Sequence, residues 1–376
     1  MSRPERLAGV DAARGLALLG MMAVHVFPVR DDDGGTTTAH LLAAGRSAGL
    51  FALLAGVGVA LATGGRRPLA GPARRRWSVS LVLRAAVVGL VGLLLAELDA
   101  GVAVILAYYA VLFVVAVPLL GLGPRLLAAL AVTLALGAPF LSFALREGLP
   151  RAPTESPTIG TLLADPAGLL QVLVLTGYYP VLGWAAYLCA GLAVGRLALD
   201  SRRTAAALLG GGAALAVGAS AASWLLLGPL GGHEQIAAVT RLAGSSVEDV
   251  VARGRFGTVP TTTRWWLATD APHSTTPPDL LHTTGTALAV LGLAVLVVPL
   301  LPRLLAPLAA AGSMPLTLYS AHLLVLAVVD DAEPALLWGA QAAGALLLAG
   351  LWSRYVGRGP LEAPLARLTR AVTGRT

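Results

Sequence analysis

The sequence predicts an all-α protein, a polytopic helical bundle of about ten transmembrane helices with both termini in the cytoplasm. Three observations carry this. The chain of 376 residues is 56% hydrophobic and only 12% charged, where a soluble domain carries roughly 25% charged residues. Its mean hydropathy is +0.77, and apolar stretches long enough to cross a bilayer recur from end to end. Arginines gather in alternate connections, the pattern that sets membrane orientation.

A span takes about 20 predominantly apolar residues. Candidates lie near residues 10–29, 41–63, 77–97, 101–121, 126–145, 178–199, 204–228, 283–301, 306–329 and 335–353. The second and third are joined by GGRRPLAGPARRR, with Arg66, Arg67, Arg74, Arg75 and Arg76. Placing this loop in the cytoplasm also puts Arg3, Arg6, Arg125, Arg202, Arg203 and Arg303 inside, with the tail arginines Arg354, Arg358, Arg367, Arg370 and Arg375. The opposite connections then hold Asp31, Asp32, Asp33, Glu97, Asp99, Asp330, Asp331 and Glu333. Every short connection agrees with N-in, C-in and an even number of spans.

Residues 1–376 therefore read as a single transmembrane domain, with a basic cytoplasmic tail at 354–376. Two long connections, 146–177 and 229–282, fall outside the cytoplasm. The first contains LADPAGLLQVLVLTG, too short to span comfortably, which is either re-entrant or an extension of the sixth helix. The second holds His233, His273, His282 and the Trp265–Trp266 pair. Tryptophans there are expected at the membrane interface, and so long a loop suits a substrate-facing cap.

The composition also excludes function classes. The net charge is +7, and every basic residue is arginine. In a soluble chain this would suggest nucleic acid; here orientation accounts for it, and no nucleic-acid partner is expected. The single Cys189 rules out an intrachain disulfide or a cysteine-based metal site. No histidine–carboxylate spacing suits a metal, and no metal is expected. The first apolar segment lacks a small-residue cleavage site, so it reads as a span rather than a signal peptide. Phosphate-binding glycine loops, zinc-protease motifs and nucleophile elbows are missing from the sequence.

The chemistry is expected on the first span, DAARGLALLGMMAVHVFP. Ionised groups at a helix centre cost roughly 2.5–3.5 kcal/mol each on insertion scales and are usually retained for function. Asp11, Arg14, Leu18, Met21 and His25 share one helical face. Arg14 and His25 lie about 16 Å apart along the axis. An arginine near the cytoplasmic end can hold a phosphate, and a histidine deeper in can act as a base. Equally, Asp11 and Arg14 can pair as an end anchor while His25 bonds a neighbouring helix.

His322, in AAGSMPLTLYSAHLLVLAVV, is the second intramembrane histidine, on one stripe with Gly312, Pro315 and Tyr319. Pro315 is expected to kink that helix and free carbonyls. Packing and substrate orientation both fit His322. Arg84 either snorkels to lipid phosphates or binds an anionic cofactor beside Arg74, Arg75 and Arg76. Glu97, Asp99, His233, Asp270, His273 and Asp279 read mostly as solvated loop residues able to meet an acceptor. The spacing of Gly191 and Gly195 reads as helix packing.

These residues carry a resemblance. Asp11, Arg14, Gly15, Ala17, Leu18 and Gly20 form a D-x-x-R-G-x-A-L-x-G opening that resembles the first helix of bacterial heparan-alpha-glucosaminide N-acetyltransferase-like membrane proteins. The histidine eleven residues after the arginine is similar to the R…H pair of the broader membrane acyltransferase superfamily. Tyr179, Pro180, Trp184, Gly191, Gly195 and Arg196 match a second motif, and Gly312, Met314, Pro315, Leu316, Thr317 and Tyr319 a late G-x-M-P-L-T-x-Y helix. Gly183 stands where the family often has a second proline. The H-x-P-W-N-G-L stretch has no counterpart here; His40 occupies roughly that region among different neighbours.

The resemblance implies a multi-pass acyltransferase of the bacterial inner membrane, surrounded by lipid bilayer. It would move an acetyl or similar group from cytoplasmic acyl-CoA to an extracytoplasmic hydroxyl or amine of a small molecule or glycan. Arg14, Arg84, Arg74, Arg75 and Arg76 would hold the coenzyme A phosphates. His25 would deprotonate the acceptor or carry the acyl group, with His322 or His40 in reserve for that role. The contrasting reading is a transporter or exporter of a small or lipid-linked solute, which intramembrane charges and a kinked helix also suit. Oligomeric state is open.

Overall fold

The computed structural model describes residues 7–149, 156–240, 242, 244–329 and 331–374; Arg3, Arg6, Asp330 and Arg375 lie outside the described residues. Regular structure among them is helical, apart from one isolated bridge between Arg30 and Thr36. In chain order the first helices are α1 (Ala8–Val26), α2 (Thr38–Ala43), α3 (Arg46–Ala62), α4 (Gly71–Ala96), α5 (Leu106–Leu119) and α6 (Pro124–Leu145). The middle of the chain forms α7 (Ile159–Ala164), α8 (Pro166–Gln171), α9 (Val181–Gly195), α10 (Arg202–Leu227), α11 (Gly232–Val239) and α12 (Val247–Ala252). The last are α13 (Pro277–Val297), α14 (Pro302–Gly312), α15 (Pro315–Leu326), α16 (Pro334–Tyr355) and α17 (Glu362–Thr373). Prolines in the first turn start many of these, where the missing N–H costs nothing.

Among the described residues seven helices are long and apolar enough to cross a membrane, or nine if each of two bent pairs is one span. The stretch at 101–121 is helical only from Leu106, and α5 has 14 residues. That is about 21 Å of helix, short of the roughly 30 Å hydrocarbon core. The residues before it line a cavity instead.

The bent pairs are informative. The late helix breaks by 73° between α14 and α15, at the expected Pro315. The break takes Gly312 O out of the helical ladder, and Arg14 Nη1 on α1 donates to it at 3.1 Å. In the other pair, α8 continues through a π turn (Val172–Thr176) and meets α9 at 58°. The connection 146–177 thus contains α7 and α8 and leads directly into a broken helix.

Small residues let the helices touch. Gly191 and Gly195 of α9 face the α3 backbone at Leu53, Gly56 and Val57, as the packing reading of that pair expects. Gly15 meets Leu308, and a Cβ on Gly312 would strike the Asp11 carbonyl. Gly312→Ala therefore has to push α14 away from α1. A loss of about 1–3 kcal/mol is expected, read as a lowered midpoint of thermal unfolding in detergent.

Arg196 ends α9 and is 3% exposed. Its Nη1 donates to the carbonyls of Ala60, Thr63 and Gly65 at 2.8, 3.2 and 3.0 Å. Nη2 donates to Thr63 Oγ1 at 3.1 Å and Leu120 O at 2.7 Å. One guanidinium thus closes the ends of α3, α5 and α9.

One expectation for the loops needs correction. Trp266 is not an interfacial anchor: it is 1% exposed, in a small core with Leu227, Ile236, Val251 and Val259. The Arg255 guanidinium lies over its ring at 4.6 Å, and its Nε1 donates to Thr262 Oγ1 at 3.1 Å. The connection 229–282 therefore carries its own folded cap. The basic tail contains a packed helix. Its helix α17 packs on α4, and Glu362 accepts from Thr317 N and Oγ1 at 3.1 and 2.6 Å.

Candidate functional site around His25

Helix α1 carries the site because apolar neighbours fix it on all sides: it packs against α3, α13, α14, α15 and α16. At its start Arg14 Nη1 donates to Asp11 Oδ1 at 2.8 Å as well as to Gly312 O. The end-anchor pairing is thus present, and it also clamps the broken late helix. Arg84 of α4 is in electrostatic range of both Arg14 and Glu362. Its guanidinium sits 6.0 Å from the Phe113 ring centre and makes no hydrogen bond or ion pair with a described residue. Arg74, Arg75 and Arg76 are exposed on the first turns of α4.

Three turns further on, His25 Nδ1 lies 3.0 Å from His322 Nε2 on α15. The rings are nearly parallel, at 12°, with centroids 5.2 Å apart. On the far side of His322, Nδ1 is 2.6 Å from Gln341 Oε1 on α16. Two histidines 297 residues apart in sequence therefore form one polar chain, ended by a glutamine that sequence reasoning passed over. Its only signal was a lone amide in the apolar run PALLWGAQAAGALLLAG.

His25 lines a cavity of about 1050 Å³. His40 and His273 line it too, with Glu97, Asp99, Asp165, Tyr178, Tyr179 and Phe256. The late part of α1, the loop 96–104, the bend between α8 and α9 and the cap at 256–273 all contribute walls. His322 is not in the lining; it backs His25 from behind. Among the described residues the lining has no arginine and carries the carboxylates Glu97, Asp99 and Asp165. Glu97 also accepts from Ile159 N and Gly160 N at 2.9 and 3.3 Å, holding the start of α7 against the mouth.

The reading of the outer polar groups as solvated fits Glu97 and Asp99, which are exposed, and needs correction for Asp279, Asp270, His233 and His273. Asp279 is 5% exposed and accepts from Thr275 N at 2.9 Å. Asp270 Oδ2 accepts from Ser220 Oγ at 2.7 Å. His233 faces Glu248 at 3.8 Å. His273 is packed among aromatic rings, 4.8 Å from Tyr178, 5.6 Å from Tyr179 and parallel to Trp184 at 6.4 Å. It adopts φ +58°, the left-handed region that a bulky residue enters only when its surroundings hold it there.

Burial, and then the His40 charge, push the His273 pKa down from 6.5 to about 4. The ring is therefore neutral near pH 7. The unfolded chain takes up this proton more readily, so the contribution of His273 to stability is full above pH 6.5 and declines as pH falls toward 4. Thermal melting in detergent is expected to drop over that window, with a shallower fall in His273→Phe.

Among the described residues no group of three or more histidine, cysteine or carboxylate side chains is placed to hold a metal ion. A family model described as the catalytic domain of heparan-alpha-glucosaminide N-acetyltransferase matches residues 6–224. The chain belongs to that family. It is accordingly a multi-pass membrane protein of acetyltransferase type. No curated relative matches the chain. The stretch shared with the heparan-alpha-glucosaminide N-acetyltransferase family takes in Arg14, His25, His40, Arg74, Arg75, Arg76 and Arg84. His273, His322 and Gln341 lie beyond it, so the partners of His25 come from a part of the chain that the family match does not cover.

Proposed function

We propose that this protein transfers an acetyl or similar acyl group from cytoplasmic acyl-CoA to an amine or hydroxyl on the extracytoplasmic side of a bacterial inner membrane. The observation that carries this reading is His25. It sits on a spanning helix with Nδ1 engaged by His322 and its ring in the wall of a large cavity. A histidine so placed can remove a proton from an acceptor. The acceptor lone pair then attacks the thioester carbonyl, the C–S bond breaks, and the coenzyme A thiolate leaves and is protonated. In the covalent variant the acyl group rests first on His25.

The arginine distribution supports the orientation, with Arg14, Arg84 and Arg74–Arg76 toward the cytoplasm. An arginine within the apolar belt that closes no ion pair is costly, and Arg84, near Arg14 and only in longer range of Glu362, closes none with a described residue. It suits a phosphate of the donor. Arg84→Gln is expected to raise KM for acetyl-CoA about tenfold while kcat changes little, as for a binding contact kept from ground to transition state. The carboxylates around the cavity favour an amine or neutral hydroxyl over an anionic acceptor. Tyr178 and Phe256 in the lining offer aromatic surface for a sugar ring.

The test uses purified protein in vesicles with acetyl-labelled acetyl-CoA and a panel of amino sugars. Label moving to an acceptor supports the reading. Flux of a solute with no binding of acetyl-CoA would overturn it in favour of a transporter, a reading to which the two broken helices lend support.

A further inference from the structure

We propose that Gln341 and His322 are positioning residues that fix His25 in one tautomer, with its proton on Nδ1 and a bare Nε2 presented to the cavity. For its catalytic consequence this rests on the function proposed above; as a statement about protons it does not.

The direction follows from the chemistry of the three groups. An amide oxygen can only accept a hydrogen bond. Gln341 Oε1 faces His322 Nδ1 at 2.6 Å, so that nitrogen carries the proton. A neutral imidazole has one N–H; His322 Nε2 is therefore a lone pair, and it faces His25 Nδ1 at 3.0 Å. The bond between the rings then requires the proton on His25 Nδ1. Rings nearly parallel at 12° with centroids 5.2 Å apart fit an edge-to-edge N–H···N bond, being too far apart for face-to-face contact.

His25 Nε2 has no hydrogen-bond partner among the described residues, and the ring borders the cavity. It is the nitrogen left to take a proton from an acceptor. A free histidine side chain favours the opposite tautomer, with Nε2 protonated and useless as a base. The chain from α16 through α15 to α1 reverses that preference. The environment of Gln341 adds a further observation: its buried Nε2 has no hydrogen-bond partner among the described residues, so the oxygen is the engaged atom of the amide.

Nitrogen-15 NMR of histidine-labelled protein in lipid nanodiscs, assigned with His25→Ala and His322→Ala, reads the tautomers directly. Protonated Nδ1 and bare Nε2 on both rings are expected. In Gln341→Met, which keeps the volume and removes the acceptor, the His25 signals are expected to shift toward the Nε2-protonated form. Protonated Nε2 on both rings in the parent protein would overturn the proposal, because the chain would then run in reverse.

Activity supplies the second readout, with acetyl-CoA and glucosamine as substrates. Gln341→Met and His322→Leu are expected to lower kcat about ten- to a hundredfold, part of what a positioned base supplies, with KM for acetyl-CoA unchanged. His322→Gln, whose amide oxygen falls near the former Nε2, is expected to recover most of that loss. Equal losses in His322→Leu and His322→Gln would reduce His322 to packing and overturn the positioning role. Tautomers as expected but no acyl transfer by the parent protein would leave the proton arrangement standing and refute the proposed function instead.

Discussion

Replacing His25 by alanine is expected to lower acyl transfer by about 10²–10⁴-fold, the range a positioned general base supplies. The side chain borders the cavity and its other nitrogen is held at 3.0 Å by His322, so no neighbour can move into its place without breaking that chain. The His25→Ala protein is expected to stay folded, because the helix around it is fixed by apolar contacts at Val10, Leu18, Met21 and Met22. Label from acetyl-CoA, followed in vesicles alongside a melting curve, separates the two effects. Transfer undiminished in a folded variant would remove His25 from the reaction. His40 and His273, on the same cavity, would then be the histidines to replace next.

The largest loss of stability is expected at Arg196. In Arg196→Met the carbonyls of Ala60, Thr63, Gly65 and Leu120 lose their common donor. Ala60 O and Thr63 O keep the backbone donors Gly65 N at 2.9 Å and Leu69 N at 3.0 Å. Gly65 O and Leu120 O are left unsatisfied at about 1–3 kcal/mol each, and the packing of the guanidinium between the helix ends is lost as well. A net loss of about 3–5 kcal/mol is expected, seen as a much lower unfolding midpoint and faster proteolysis of the loop at 63–70. Arg196→Lys is expected to rescue little, since one ammonium cannot reach acceptors spread over three helix ends. Loss of activity without loss of stability in Arg196→Met would contradict a purely structural role.

The fold was legible because bilayer thickness and backbone satisfaction leave few choices for a chain this apolar. Pro315 announced the break in the late helix, and Gly191 with Gly195 announced the close approach of α3 and α9. The short α5 was hidden, since Gly101–Ile105 is as apolar as a span and only its place beside the cavity makes it irregular. Trp266 misled because tryptophans outside a span suggest an interface, whereas a folded cap supplied it with a core.

The site was half legible. Charge in a costly place marked Arg14 and His25, and the same logic marked His322. Nothing local in the sequence pairs His25 with His322 or either with Gln341, because the three lie on α1, α15 and α16 and meet only through tertiary packing. His273 was obscured for the opposite reason. A histidine in a polar loop reads as solvated, and the rings that enclose it come from residues 178, 179 and 184.

The span of 297 residues between His25 and His322 also has a consequence in time. Synthesis proceeds at about 5–20 residues per second, so α1 enters the bilayer roughly 15–60 s before the helix that completes its histidine pair has been made. During that interval the imidazole lacks its His322 partner, and Arg14 has Asp11 but not yet the Gly312 carbonyl. Both polar partners arrive together with α14 and α15, after α2, α3 and α13, which also pack on α1, have been made. Truncation before residue 312 would leave every earlier helix in place and still present a membrane quality-control protease with a polar, unclasped α1.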